Sequence, residues 1–138
     1  MLIAHGIDLV EVDRITRLRE RHGERFLRRV FTQAELDLAL GTKRQDEHLA
    51  GRFAVKEALL KALGTGLRGG IHWTDIGADR GPMGEPRVIL RGEAQRQSDR
   101  IGVSGWSVSI THAGGLAAAS VVGLRSTPGR IDSDHYTP

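Results

Sequence analysis

A chain of 138 residues is long enough to enclose one hydrophobic core and short enough to form a single domain. It contains no cysteine, which excludes disulfides, thiolate nucleophiles and cysteine-ligated metal centres and is compatible with a reducing compartment. The net charge of +3 conceals a skew of 17 arginines to three lysines, and the crowding of Arg14, Arg17, Arg19, Arg21, Arg25, Arg28 and Arg29 favours an anionic partner: nucleic acid, phosphate or an acidic protein.

The first stretch, LIAHGIDLVEV over residues 2–12, is apolar on both alternating faces and reads as a buried strand. It lacks the basic segment and cleavage site of a signal peptide, and no apolar run approaches the roughly 20 residues of a membrane span, so a soluble cytoplasmic protein is expected. Asp13 is placed to cap a helix over DRITRLRERHG that Gly23 ends. On that helix Arg14, Arg17 and Arg21 share one side as a basic ridge. Thr32 and Glu35 have the spacing of a capping box for TQAELDLAL, closed by Gly41. A long helix follows from about residue 46 to Leu63, with Gly64 as its stop.

After GTGLRGG come two short strand-like stretches, IHWTDIGA and PRVILRG, joined by the turn-rich DRGPMGE. EAQRQSDRIG suits a surface helix, and WSVSITHA and LAAASVVGL flank Gly114-Gly115 as a hairpin. The expected whole is a compact single α+β domain over 1–124, with a mostly antiparallel sheet packed on a long central helix, followed by a polar tail over 125–138.

Two charges sit where apolar residues belong. Asp8 shares a strand face with Ala4, Gly6 and Val10, and an unpaired carboxylate there would cost on the order of several kcal/mol. Its partner is either one of the many arginines or a divalent metal that would also need a second carboxylate. In the long helix Leu49, Phe53, Leu60 and Leu63 fall along one face, and Lys56 lies midway between Phe53 and Leu60. Glu57 and Lys61 stand four residues apart at the shoulder of that face, as a surface ion pair or as part of a site. Two of the three lysines lie in this one helix, and lysine is a compact point charge suited to phosphate.

GTGLRGG follows a helix and lacks a Gly-Lys-Ser/Thr ending, so it is not a nucleoside-triphosphate P-loop. His112, ending SITH, is open to a hydrogen-bonding or a ligand-binding role. Few aromatic residues and the absence of zinc-finger or RNA-recognition patterns weigh against nucleic acid. The rival to an enzyme is a non-catalytic basic module, which leaves Asp8, Glu57 and the two lysines without a role.

Three segments, GIDLVEVDRI, LAGRFAVKEALLKALGTG and SITHAGGLAAASVV, together resemble the holo-[acyl-carrier-protein] synthase family of small 4'-phosphopantetheinyl transferases, over residues of about 2 to 124. The resemblance implies transfer of 4'-phosphopantetheine from coenzyme A to a serine of apo acyl carrier protein. It implies Mg²⁺, with Mn²⁺ as the alternative, held by Asp8 and Glu57 beside the pyrophosphate, with Lys61 on the phosphate oxygens. It further implies a homotrimer with active sites between subunits, Arg52, Gly64, Thr65, Gly66 and His112 lining the coenzyme A groove and Lys56 belonging to the same motif. Lys56 is read there as a buried cation facing a phosphate or a carboxylate. The basic ridge of Arg14, Arg17 and Arg21 would then meet the acidic carrier protein. His5 departs from the family pattern, where a small residue precedes the glycine. The residues leave the general base open between a metal-bound or bridging water and a carboxylate.

Overall fold

The computed structural model describes residues 1–126, so the expected tail lies outside the described residues from residue 127 onward. Five helices and five strands are arranged as β1 (Leu2–Glu11), α1 (Val12–His22), α2 (Glu24–Val30), α3 (Gln33–Ala39), α4 (Gln45–Leu63), β2 (Ile76–Arg80), β3 (Pro86–Leu90), α5 (Gly92–Arg100), β4 (Gly105–Ala113) and β5 (Leu116–Leu124). The strands form two antiparallel sheets, β1-β5-β4 and β2-β3. The α+β expectation therefore holds, with the sheet divided in two.

Helix α4 packs chiefly on β1 and β5, and its buried residues run from Leu49 to Leu63 with few interruptions. It is buried almost all round, so the single apolar stripe read from its spacing understates it. The interruptions are Glu57, Lys61 and Ala62. Gly64, at φ 78°, ends the helix in the left-handed region, its N–H donating to the carbonyls of Leu60 and Lys61. Gly114 and Gly115 both have positive φ, 56° and 77°, as a tight two-residue hairpin turn requires, and they set the β4–β5 register.

Several local expectations change. The Thr32–Glu35 capping box forms as expected, but Asp13 does not cap α1. The helix begins one residue earlier at Val12, whose N–H donates to Gly115 O, and Asp13 lies inside the first turn. Helix α2 was not foreseen: ERFLRRV is short and half basic, and its helix is held by burial of Phe26, Leu27 and Val30. The first half of IHWTDIGA is a 3₁₀ turn at Trp73–Asp75, and β2 starts only at Ile76. In β1 only one face is covered. Ala4, Gly6 and Val10 are buried against α4, whereas Ile7 and Leu9 on the other face are 60% and 62% exposed.

The close contact of β1 with α4 depends on Gly6. A Cβ there would lie 1.9 Å from the Ala58 carbonyl oxygen and 3.1 Å from the backbone nitrogen of Ala62. Because the obstacle is helix backbone, it cannot rotate away. Gly6→Ala is expected to destabilise the fold by about 3 kcal/mol or more, read as a lowered midpoint in urea denaturation.

Candidate active site

The strand face that packs on α4 carries Asp8 opposite the two polar interruptions of that helix, Glu57 and Lys61. Lys61 Nζ donates to Asp8 Oδ1 at 2.9 Å and to the Ile7 carbonyl at 3.1 Å. The partner of Asp8 is thus a lysine of the long helix, not one of the arginines. The lysine side chain is 58% exposed while the Asp8 side chain is largely covered, so the pair sits at the surface with its anion inside. Hydrogen bonding to Asp8 raises the pKa of Lys61 and keeps it a cation.

Glu57 completes the group. Burial, then the negative charge of Asp8, pushes its carboxyl above the usual glutamate range, and Arg14 and Lys61 oppose the shift. Two carboxylates that repel each other at a partly buried position form a donor set suited to a hard cation. Among the described residues no cluster of three or more His, Cys, Asp or Glu forms a closed metal cage. A pair of carboxylates is what Mg²⁺ uses when phosphate oxygens and water supply the rest.

Glu57 and Lys61 also border a cleft of about 500 Å³, lined further by Leu60, Gly64, Gly66, Leu67 and Trp73. Of the glycine-rich residues expected at the site, Gly64 and Gly66 line this cleft. Thr65 lies between them, its hydroxyl donating to the Gly66 carbonyl at 3.1 Å. The indole of Trp73 stacks on Phe53 with ring centroids 5.3 Å apart, and the Arg14 guanidinium lies 5.2 Å from the Phe53 centroid. Arg14 therefore stands beside the site, while Arg17 and Arg21 are exposed farther along α1.

Arg52 and His112 belong to a second group. Arg52 is 5% exposed, and its buried Nε has no hydrogen-bond partner. Burial, then the charge of Arg80, lowers its pKa. His48 is likewise lowered by burial and by Arg52, Arg80 and His112. His112 Nε2 lies 2.9 Å from the Glu47 carbonyl and packs over Gly51. Asp8 is on β1 and His112 on β4, the two outer strands of the three-stranded sheet.

Lys56 must be reassigned. It is fully buried, pairs with the equally buried Glu35 at 2.7 Å, and donates to the Trp73 and Ile76 carbonyls. With the side chain sealed from solvent, it does not contact a ligand from this position. The anticipated buried cation facing a carboxylate is found, with Glu35 as that carboxylate. Burial lowers the Lys56 pKa while Glu35 raises it. Glu35, His48, Trp73 and Arg80 were all missed as site or supporting residues. The capping-box spacing named Glu35 but gave it only a local task, and nothing in the sequence joins β2 to α4.

The 4'-phosphopantetheinyl transferase superfamily matches residues 4–119. A relative named holo-[acyl-carrier-protein] synthase from Solibacter usitatus (strain Ellin6076) is 40% identical over 122 residues, covering 88% of this chain and 98% of the relative. One of the same name from Rhodopseudomonas palustris (strain TIE-1) is 44% identical over 130 residues, 88% of this chain and 89% of the relative. The crystal structure of holo-[acyl-carrier-protein] synthase from Neisseria meningitidis superposes with a TM-score of 0.82 at 32% identity, covering 91% of this chain and all of that one. The Bacillus anthracis synthase, solved in complex with CoA (3',5'-ADP), gives a TM-score of 0.74 at 33% identity over 91% of this chain and 99% of that one.

The raised Glu57 pKa has a sign that can be measured. The folded state holds this proton to higher pH than the unfolded state, so the carboxyl lowers stability as pH rises above the ordinary glutamate value. Glu57→Gln is expected to melt above wild type at pH 7 without added metal, and the difference should vanish below about pH 4, where both states carry the proton.

Proposed function

The chain belongs to the 4'-phosphopantetheinyl transferase superfamily, and from that premise we propose that it transfers 4'-phosphopantetheine from coenzyme A to a serine hydroxyl of apo acyl carrier protein, releasing adenosine 3',5'-bisphosphate. The observation that carries this reading is the meeting of Asp8, Glu57 and Lys61 at one cleft, two carboxylates and a cation drawn from elements far apart in sequence. In the reaction the serine oxygen attacks the phosphorus bearing the pantetheine arm, and the bond from that phosphorus to the bisphosphate leaving group breaks. Such a transfer depends on positioning and charge neutralisation more than on covalent participation by the protein.

Asp8 and Glu57 would hold Mg²⁺, or Mn²⁺ in its place, which when bound supplies positive charge to the pyrophosphate. Lys61, more than half exposed on a flexible four-carbon stem, can exchange its hold on Asp8 for a phosphate oxygen. Gly64 and Gly66, on either side of Thr65, bring backbone to the donor without side-chain bulk, and Leu60, Leu67 and Trp73 offer it an apolar wall. The partnerless Nε of Arg52, among Arg80, His48 and His112, supports a role for Arg52 and His112 in holding donor phosphate.

A homotrimer with sites between subunits is supported by the uncovered face of β1, where Ile7 and Leu9 lie exposed side by side with Ala118 and Val122 of β5. His5, paired in register with Val122, falls on that same face. The exposed Arg14, Arg17 and Arg21 suit an acidic carrier protein docking next to the cleft. The absence of cysteine suits a cytoplasmic enzyme, and a carrier-protein acceptor suits a role in fatty-acid synthesis, with polyketide synthesis as the alternative.

Intact-mass measurement of an apo acyl carrier protein incubated with coenzyme A and this protein should show the gain of one phosphopantetheine only when Mg²⁺ is present. Asp8→Ala and Glu57→Ala should abolish the gain and also the Mg²⁺-dependent rise in melting temperature. Lys61→Ala should slow turnover on the order of a hundredfold. No gain with any carrier and no coenzyme A binding would refute the assignment. Separately, Arg14→Glu should lower the association rate with the carrier about tenfold at low salt, with a smaller effect on coenzyme A affinity.

A further inference from the structure

The buried pair of Lys56 and Glu35 has no part in the chemistry above, yet its hydrogen bonds converge on the cleft wall. The three Lys56 donors go to Glu35 Oε1 at 2.7 Å, to the Trp73 carbonyl at 3.2 Å and to the Ile76 carbonyl. Glu35 is equally committed. Oε1 also accepts from Thr32 N at 2.8 Å, and Oε2 accepts from Ala78 N at 3.1 Å. The network is closed, with no donor spared for a ligand, and it ties the start of α3, the middle of α4, the 3₁₀ turn and β2 at one point.

A buried ion pair contributes little stability beyond what apolar residues of similar volume would give. What it supplies here is direction. The carbonyls of Trp73 and Ile76 bracket the turn that carries the indole, and the same indole stacks on Phe53 and lines the cleft with Leu60, Lys61 and Gly66. Phe53 and Lys56 lie three residues apart on one side of α4, so side chain and main chain of Trp73 are both referenced to one helix.

We propose that Lys56 and Glu35 are positioning residues that fix Trp73 as the apolar wall of the donor cleft, and so set the affinity for coenzyme A without touching it. This rests on the assignment of that cleft to coenzyme A. Lys56→Met paired with Glu35→Gln removes both charges together and leaves no lone buried ion. The double variant should raise the KM for coenzyme A about tenfold with kcat within about twofold of wild type. Trp73→Ala should do the same, and the two changes combined should be no worse than Trp73→Ala alone, because they act through one contact. In a Trp106→Phe background, where Trp73 is the remaining indole, its emission should shift to the red in the double variant as the ring loosens from Phe53.

If the double variant does not fold, Glu35→Asp, which keeps both charges but shortens the reach to Lys56 and to Ala78 N, carries the same three readings. Unchanged KM and emission in a folded variant, or effects that simply multiply with those of Trp73→Ala, would overturn the proposal. Because emission is read without coenzyme A, an error in the donor assignment shows separately, as wild-type protein that neither binds nor turns over coenzyme A.

Discussion

Everything at the candidate site depends on how closely one strand lies on one helix. Gly6 lets the backbone of β1 approach Ala58 and Ala62 to a distance that a single methyl group would forbid. Two residues farther along the same strand face, that closeness places Asp8 against Glu57 and Lys61. A looser packing would leave Asp8 as a partly buried carboxylate with no cation in reach, a state that burial makes costly. The same contact therefore excludes water from the core and collects the charges.

Neighbouring residues on α4 are sent to opposite fates by a helical step of about 100°. Lys56 turns into the protein, where its charge is tolerable only because Glu35 and two carbonyls consume every donor. Glu57 turns to the shoulder, where burial is partial and the nearest charges include another carboxylate. Lys61, one turn on, reaches back directly to the strand at the surface. One ion pair is closed and serves structure; the other is open, and its lysine can be recruited. Exposure separates two lysines that composition alone treats alike.

The open face of β1 follows from a sheet of only three strands with a helix on one side. Alternation in LIAHGIDLVEV is apolar in both phases, and a strand so composed is stable only when both faces are covered. The described chain covers one. The two phases therefore have different partners, α4 for the first and, in the proposed trimer, another subunit for the second. A strand buried from within and one buried by assembly look the same to a reading of alternation.

Much of this protein was legible locally. The extent of α4, the Gly64 stop, the Thr32–Glu35 box and the Gly114-Gly115 hairpin follow from helical spacing, capping chemistry and positive φ, properties that neighbouring residues settle among themselves. The oddity of Asp8, Glu57, Lys56 and Lys61 was visible for the same reason, since a charge out of phase with an apolar pattern stands out without knowledge of its surroundings. Which charge meets which was not. Asp8 and Lys61 are 53 residues apart, Arg52 meets Arg80 only because β2 returns to α4, and Trp73 joins the cleft through carbonyls that carry no side-chain signal. Sequence by itself determined most of the elements, α2 and the 3₁₀ turn before β2 excepted, and the residues with an unmet need; only the tertiary structure decided their partners, because a charge's partner depends on the path of the whole chain and its cost depends on burial.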